Sequence, residues 1–169
     1  MILVKRVEEK QVAYIYHKGS YEEIDTLMSS VINWANIKGL KIAGPPFGVY
    51  YNFSQKVSPE ELEYKVGIPF LGEVKEENEI KIGKIHERHV ISTIYKGPYN
   101  NTTFFYDAIV DYAIDNGFEI AEFPMEIYLN NSYDVPDAEL LTEIQFPIIK
   151  RSSKAKINAK DTKKRGTPI

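Results

Sequence analysis

Shifted by 78 residues, the chain matches itself. Val12 falls on Val90, Lys18-Gly19 on Lys96-Gly97 and Tyr21 on Tyr99. Ala35 falls on Ala113, Gly39 on Gly117, Pro46 on Pro124, Tyr50 on Tyr128, Asn52 on Asn130 and Pro69 on Pro147. In all, 16 identities occur in 59 ungapped positions, where about four are expected from ordinary composition. Two copies are too few for a solenoid. They predict two related halves that share a core about a pseudo-two-fold axis.

Each copy has the same predicted content. In the first, Ile2–Val7 and Val12–Tyr16 read as strands, the second rich in β-formers. A turn at Lys18-Gly19 leads to Ser20, which with Glu23 fits a capping box. Ile24, Leu27, Met28, Val31 and Ala35 then keep the spacing of one buried helix face, and Gly39 stops the helix. Phe47–Asn52 and Leu62–Phe70 follow as strands. The unit is βαββ, so the expected fold is α+β: two tandem βαββ repeats, a curved antiparallel sheet, and two main helices on one face. The boundaries are about 2–70 for the first repeat, 71–80 for a linker with turns or short helices, and about 81–149 for the second.

The last strand, Leu140–Ile148, sets out the candidate chemistry. Thr142, Ile144, Phe146 and Ile148 alternate with Leu141, Glu143, Gln145 and Pro147. The even face, apolar apart from Thr142, is expected to pack on helices, which leaves Glu143 and Gln145 on the other. Reading Met125, Ile127 and Leu129 as helix-facing puts Glu126 and Tyr128 with Glu143, and Tyr50 with them by the repeat. The cleft between two such halves is the expected ligand site. Lys65 stands at the position of Glu143, and Gly67 at that of Gln145, so the polar pair belongs to one copy. Trp34, matched by Tyr112, sits beside the apolar helix stripe. It reads first as core and second as pocket lining.

Composition narrows the chemistry. No cysteine is present, which excludes disulfides, thiolate catalysis and Cys-ligated zinc. His86 and His89 stand three apart, on opposite faces of a predicted strand, so no metal site is expected. No phosphate-binding glycine loop, dinucleotide fingerprint, nucleophile elbow or metalloprotease helix occurs, and no cofactor is implied. No apolar run reaches the length of a membrane span and the N-terminus lacks a signal-peptide core, so a cytoplasmic location is expected. The net charge of −3 divides unevenly: residues 151–169 hold seven Lys or Arg and one Asp, leaving −9 for residues 1–150. An acidic body disfavours a nucleic-acid surface and favours cationic ligands. The basic tail, without apolar periodicity or aromatics, reads as a solvated, mobile extension.

The segments VAYIYHKGSYEEI, PPFGVYYN with FPMEIYLN, PEELEYKVGIPF and PDAELLTEIQFPI, in this order over roughly residues 2–150, resemble the GyrI-like small-molecule-binding domains, also called AraC-type effector-binding domains. The resemblance implies a tandem βαββ fold with a central pocket. It also implies an acidic residue on the last strand, Glu143 here, set among aromatics and meeting cationic, aromatic or amphipathic ligands. Members occur fused to DNA-binding helix-turn-helix domains or alone. This chain, with no other stretch long enough for a DNA-binding domain, is expected to be a stand-alone member. Its tail has no counterpart in the pattern.

The candidate ligand-binding residues are therefore Glu143, Tyr50, Tyr128, Glu126, Gln145 and Trp34. A carboxylate among rings loses solvation, so its pKa is expected to rise in the vacant site and fall when a cation enters. Flanking rings would add cation–π attraction. Three functions follow. The first is sensing or sequestering a cationic or amphipathic xenobiotic. The second, implied by stand-alone relatives that hydrolyse cyclopropane-containing toxins, has Tyr128 donating to a developing oxyanion while Glu143 deprotonates water. The third is regulation through a protein partner, as in gyrase-inhibiting relatives.

Overall fold

The computed structural model describes residues 1–99 and 102–151. The predicted tail from 152 onward lies outside the described residues. The fold is α+β, with antiparallel pairing throughout the named strands and two helices of 14 residues each. No helix among the described residues is long and apolar enough to cross a membrane.

The described residues divide into two compact units, Met1–Glu8 with residues 87–151, and Glu9–His86. The first unit contains β1 (Ile2–Val7), β7 (Arg88–Lys96), α2 (Thr102–Asp115), β8 (Phe118–Ile120), β9 (Met125–Tyr128) and β10 (Leu141–Lys150). Here β10 is central, paired with β7 on one side and with β8 and β9 on the other, while β1 pairs with the far edge of β7. One face of this sheet carries Ile91, Tyr95, Ile144, Phe146 and Ile148. It buries them against Tyr106, Ile109 and Ala113 of α2. The expected helix-facing set of β10 is thus the observed one.

The second unit contains β2 (Lys10–Lys18), α1 (Ile24–Ile37), β3 (Lys41–Ile42), β4 (Phe47–Tyr50), β5 (Glu63–Leu71) and β6 (Lys81–Ile85). Here β5 pairs with β2, β3 and β4, and β6 pairs with β2. Ala13, Ile15, Ile68 and Phe70 pack on Val31 and Ala35 of α1. The units cut the chain differently from the sequence copies at their edges. Glu8-Glu9 and His86-Glu87 do not close hairpins: β1 pairs with β7 of the later copy, and β6 with β2 of the earlier one. That exchange brings Lys5 to the first unit's site.

Local detail follows the sequence with one change. Ser20 accepts from the Glu22 N–H at 3.2 Å, opening a short 3₁₀ turn at Tyr21–Glu23 before α1. The second half of the expected capping box does not form, because the Glu23 carboxylate turns to His17 Nε2, 2.9 Å away. Gly39, at φ 71°, ends α1, and the Leu40 N–H caps the Ala35 carbonyl. Within the 71–80 stretch, Glu77 and Ile80 form an isolated bridge around Asn78 at φ 55°.

Candidate functional site

Glu143 lies mid-strand on β10, opposite Ile94 of β7 and Ile127 of β9. Gln145, two residues on, lies opposite Ser92 and Met125. Directly opposed residues share a face, so one face of the first unit gathers Ser92, Ile94, Met125, Ile127, Glu143 and Gln145. Lys5 joins them from β1, opposite Val90. Glu143 is 7% exposed. Three donors converge on its Oε2: Ser92 Oγ at 2.7 Å, Gln145 Nε2 at 2.8 Å and Lys5 Nζ at 2.5 Å. Burial alone raises the pKa of this carboxyl. The hydrogen bonds from Gln145, Lys5 and Ser92, with the charge of Lys5, outweigh it and hold the group below the usual carboxylate range. The expectation of a raised pKa fails for this reason: the chain supplies its own cation.

Glu126, Tyr128 and Tyr50 are not where alternation of apolar residues suggested. Glu126 pairs with Ile144, and Tyr128 with Thr142, so both stand on the helix face, opposite to Glu143. Met125 and Ile127 take the Glu143 face instead. The polarity rule misleads because both faces are covered: Met125 and Glu126 are both buried. Tyr106 of α2 makes Glu126 tolerable there by donating its hydroxyl to Oε2, and Tyr128 donates to Oε1 at 3.3 Å. Burial nevertheless dominates over these two bonds and pushes the Glu126 carboxyl up to about 7. The immediate sheet neighbours of Glu143 are thus aliphatic, and the expected ring beside it from Tyr128 is absent.

In the second unit Tyr50 pairs with Tyr64, again on the helix side. Its ring meets Tyr21 edge-on at 5.6 Å, as Tyr128 meets Tyr99 at 5.5 Å. Trp34 packs partly against the α1 core and donates Nε1 to Glu77 at 3.0 Å, fastening the 71–80 stretch. At the copy position of Glu143, Lys65 holds its Nζ 4.7 Å from the Tyr14 ring centroid and 5.7 Å from that of Tyr51, and burial lowers its pKa. Gly67 explains why this copy lacks a Gln145: a Cβ there would come within 2.3 Å of the Ala13 carbonyl oxygen.

Sequence reasoning missed Lys5, Ser92 and Tyr106. Lys5 and Ser92 become visible only with the pairing of β1 and β10 on β7. Tyr106 carries a signal in the repeat itself, since Met28 and Gly48 of one copy become Tyr106 and Glu126 in the other, a joint change that creates one hydrogen bond. Arg88 was also unremarked. It sits on the Glu143 face, bonded to Glu122 at 2.7 Å, with a 3.9 Å contact to Met125 Sδ.

The family model of the GyrI-like small molecule binding domain matches residues 2–149. No curated protein matches the chain. Among solved structures, the EcmrR C-terminal domain superposes with a TM-score of 0.78 at 22% identity, covering 89% of this chain and 98% of that one. EcmrR in its DNA complex gives 0.78 at 21% identity, over 90% of this chain; the chain spans only 58% of that protein. SAV2435 bound to tetraphenylphosphonium gives 0.57 at 10% identity, covering 88% of this chain and 94% of that one. At these identities the likeness is one of fold.

Proposed function

Because the chain belongs to the GyrI-like small molecule binding domain family, we propose that it binds cationic or amphipathic organic molecules, with Glu143 as the acid that receives them. The reading extends to sensing or sequestering xenobiotics, and to a layout of two tandem βαββ repeats about a pseudo-two-fold axis. The observation that carries it is the Glu143 carboxylate itself: buried, held as an anion, and bordered by Ile94, Ile127 and Met125. Apolar borders exclude water and strengthen the attraction of such a charge for a cation. Gln145 is retained as its neighbour. SAV2435, a relative in fold, is described with a lipophilic cation bound, which supports the ligand class.

Hydrolysis of strained electrophiles by Glu143 with Tyr128 draws no support from the register, which sets the two side chains on opposite faces. The test of binding is a thermal-shift panel of lipophilic ammonium and phosphonium ions against neutral analogues of equal size. A ligand at 100 times its Kd adds about 2.7 kcal/mol, so the cations should raise Tm and the neutral analogues should not. Equal shifts for both sets, or none, would reject Glu143 as a cation receptor.

A further inference from the structure

We propose that Lys5 is a built-in competitor for the Glu143 site, and that the ligands replacing it are cations bearing N–H donors, such as primary ammonium or amidinium groups. This rests on the binding role proposed for Glu143. The Lys5 ammonium lies 2.5 Å from Glu143 Oε2, so the site already accommodates a primary ammonium. Lys5 is free to leave in a way Glu143 is not: its side chain is 40% exposed against 10% for the carboxylate. Its long stem can carry the charge out to water while the strand fixes the acid. A replacement cation must restore both the charge and an N–H aimed at Oε2, because a charge-assisted hydrogen bond is roughly twice as strong as a neutral one.

Gln145 gives a second, independent indication. It is 3% exposed, and its Nε2 is committed to Glu143. Its Oε1 is buried and has no hydrogen-bond partner among the described residues. A buried carbonyl left in that state is costly; Lys5, tethered to β1, makes no bond to it, whereas an untethered cation can turn a second N–H toward it. A quaternary ion offers neither hydrogen bond. The device belongs to one copy only: Gly83 stands opposite Val12 as Lys5 stands opposite Val90, and Gly67 replaces Gln145.

The full chain, with Lys5→Met and Lys5→Arg variants, is titrated calorimetrically with naphthylmethylammonium and with its N-trimethyl counterpart. Lys5→Met is expected to bind the primary ammonium about tenfold or more tightly than the wild type. Lys5→Arg, which keeps the internal cation, should stay near wild type, and each protein should favour the primary over the trimethylated ion. Binding of the cations with no gain in Lys5→Met, or with a preference for the trimethylated ion, overturns the inference and leaves the binding role of Glu143 standing. Failure of every protein to bind either ion overturns both. Should Lys5→Met not fold, the side-chain ¹⁵Nζ signal of Lys5 in the wild type decides: saturating naphthylmethylammonium must move it toward the position of a solvated lysine, and an unchanged signal overturns the inference.

Discussion

Glu126 and Glu143 stand on opposite faces of one sheet: Ile144 pairs with Glu126, and Glu143 is its neighbour along β10. Both are buried, yet their surroundings drive them apart. Glu143 has a lysine and two neutral donors on one oxygen and is stabilised as an anion. Glu126 has only hydroxyl donors, and burial pushes it up to about 7.

Their effects on stability therefore have opposite signs. Between 4.5 and about 7 the folded state holds the Glu126 proton while the unfolded chain has released it. The contribution of Glu126 is fully present below 4.5 and is lost as pH rises through about 7, a total of about 3 kcal/mol. Glu143, with a lowered folded pKa, contributes above 4.5 and loses that contribution as pH falls through its folded value. Denaturant melts across this range should show Glu126→Gln flattening the decline toward pH 8 and ending more stable there than the wild type. An unchanged pH profile in this variant would show that Glu126 does not titrate as described.

The two tyrosines should separate in their influence on Glu126. Tyr106 makes the shorter bond, so Tyr106→Phe is expected to raise the Glu126 midpoint further above about 7 than Tyr128→Phe, whose bond is 3.3 Å. Carboxyl ¹³C shifts followed through a pH titration read this directly. A larger displacement in Tyr128→Phe would reverse the assignment.

Much of this arrangement is legible in the sequence. A covered Glu143 is implied only by the family resemblance, whereas the repeat, the two helices and the helix-facing set of β10 follow from spacing, because helix and strand periods are local properties. The face of β9 does not. Met125, Glu126, Ile127 and Tyr128 alternate cleanly, and apolar-inward logic chooses the wrong set because a hydroxyl on α2 receives the acid. Nor does the partnership of Lys5, which depends on β1 pairing with β7 across 85 positions, as Lys5 with Val90. Asn52 and Asn130, paired in the repeat, brace loops, a role that their spacing does not indicate. Each accepts from a strand N–H eleven residues on, at 2.8 Å, and donates to a carbonyl nine residues on.

That bracing predicts a cost. Asn130→Ala leaves the Leu141 N–H and the Glu139 carbonyl without their partner at the start of β10. A loss of about 1–2 kcal/mol is expected from denaturant unfolding, and Asn52→Ala should lose a similar amount. A change under about 0.3 kcal/mol would mean that water replaces both bonds without cost.

The most direct test of the account is calorimetric titration of wild type and Glu143→Gln with whichever lipophilic cation gives the largest thermal shift. Glutamine keeps the shape and much of the hydrogen bonding but removes the charge. The account predicts an affinity loss of about 10–100-fold, with the neutral analogue unaffected by the substitution. Equal affinity of the cation for both proteins would contradict it.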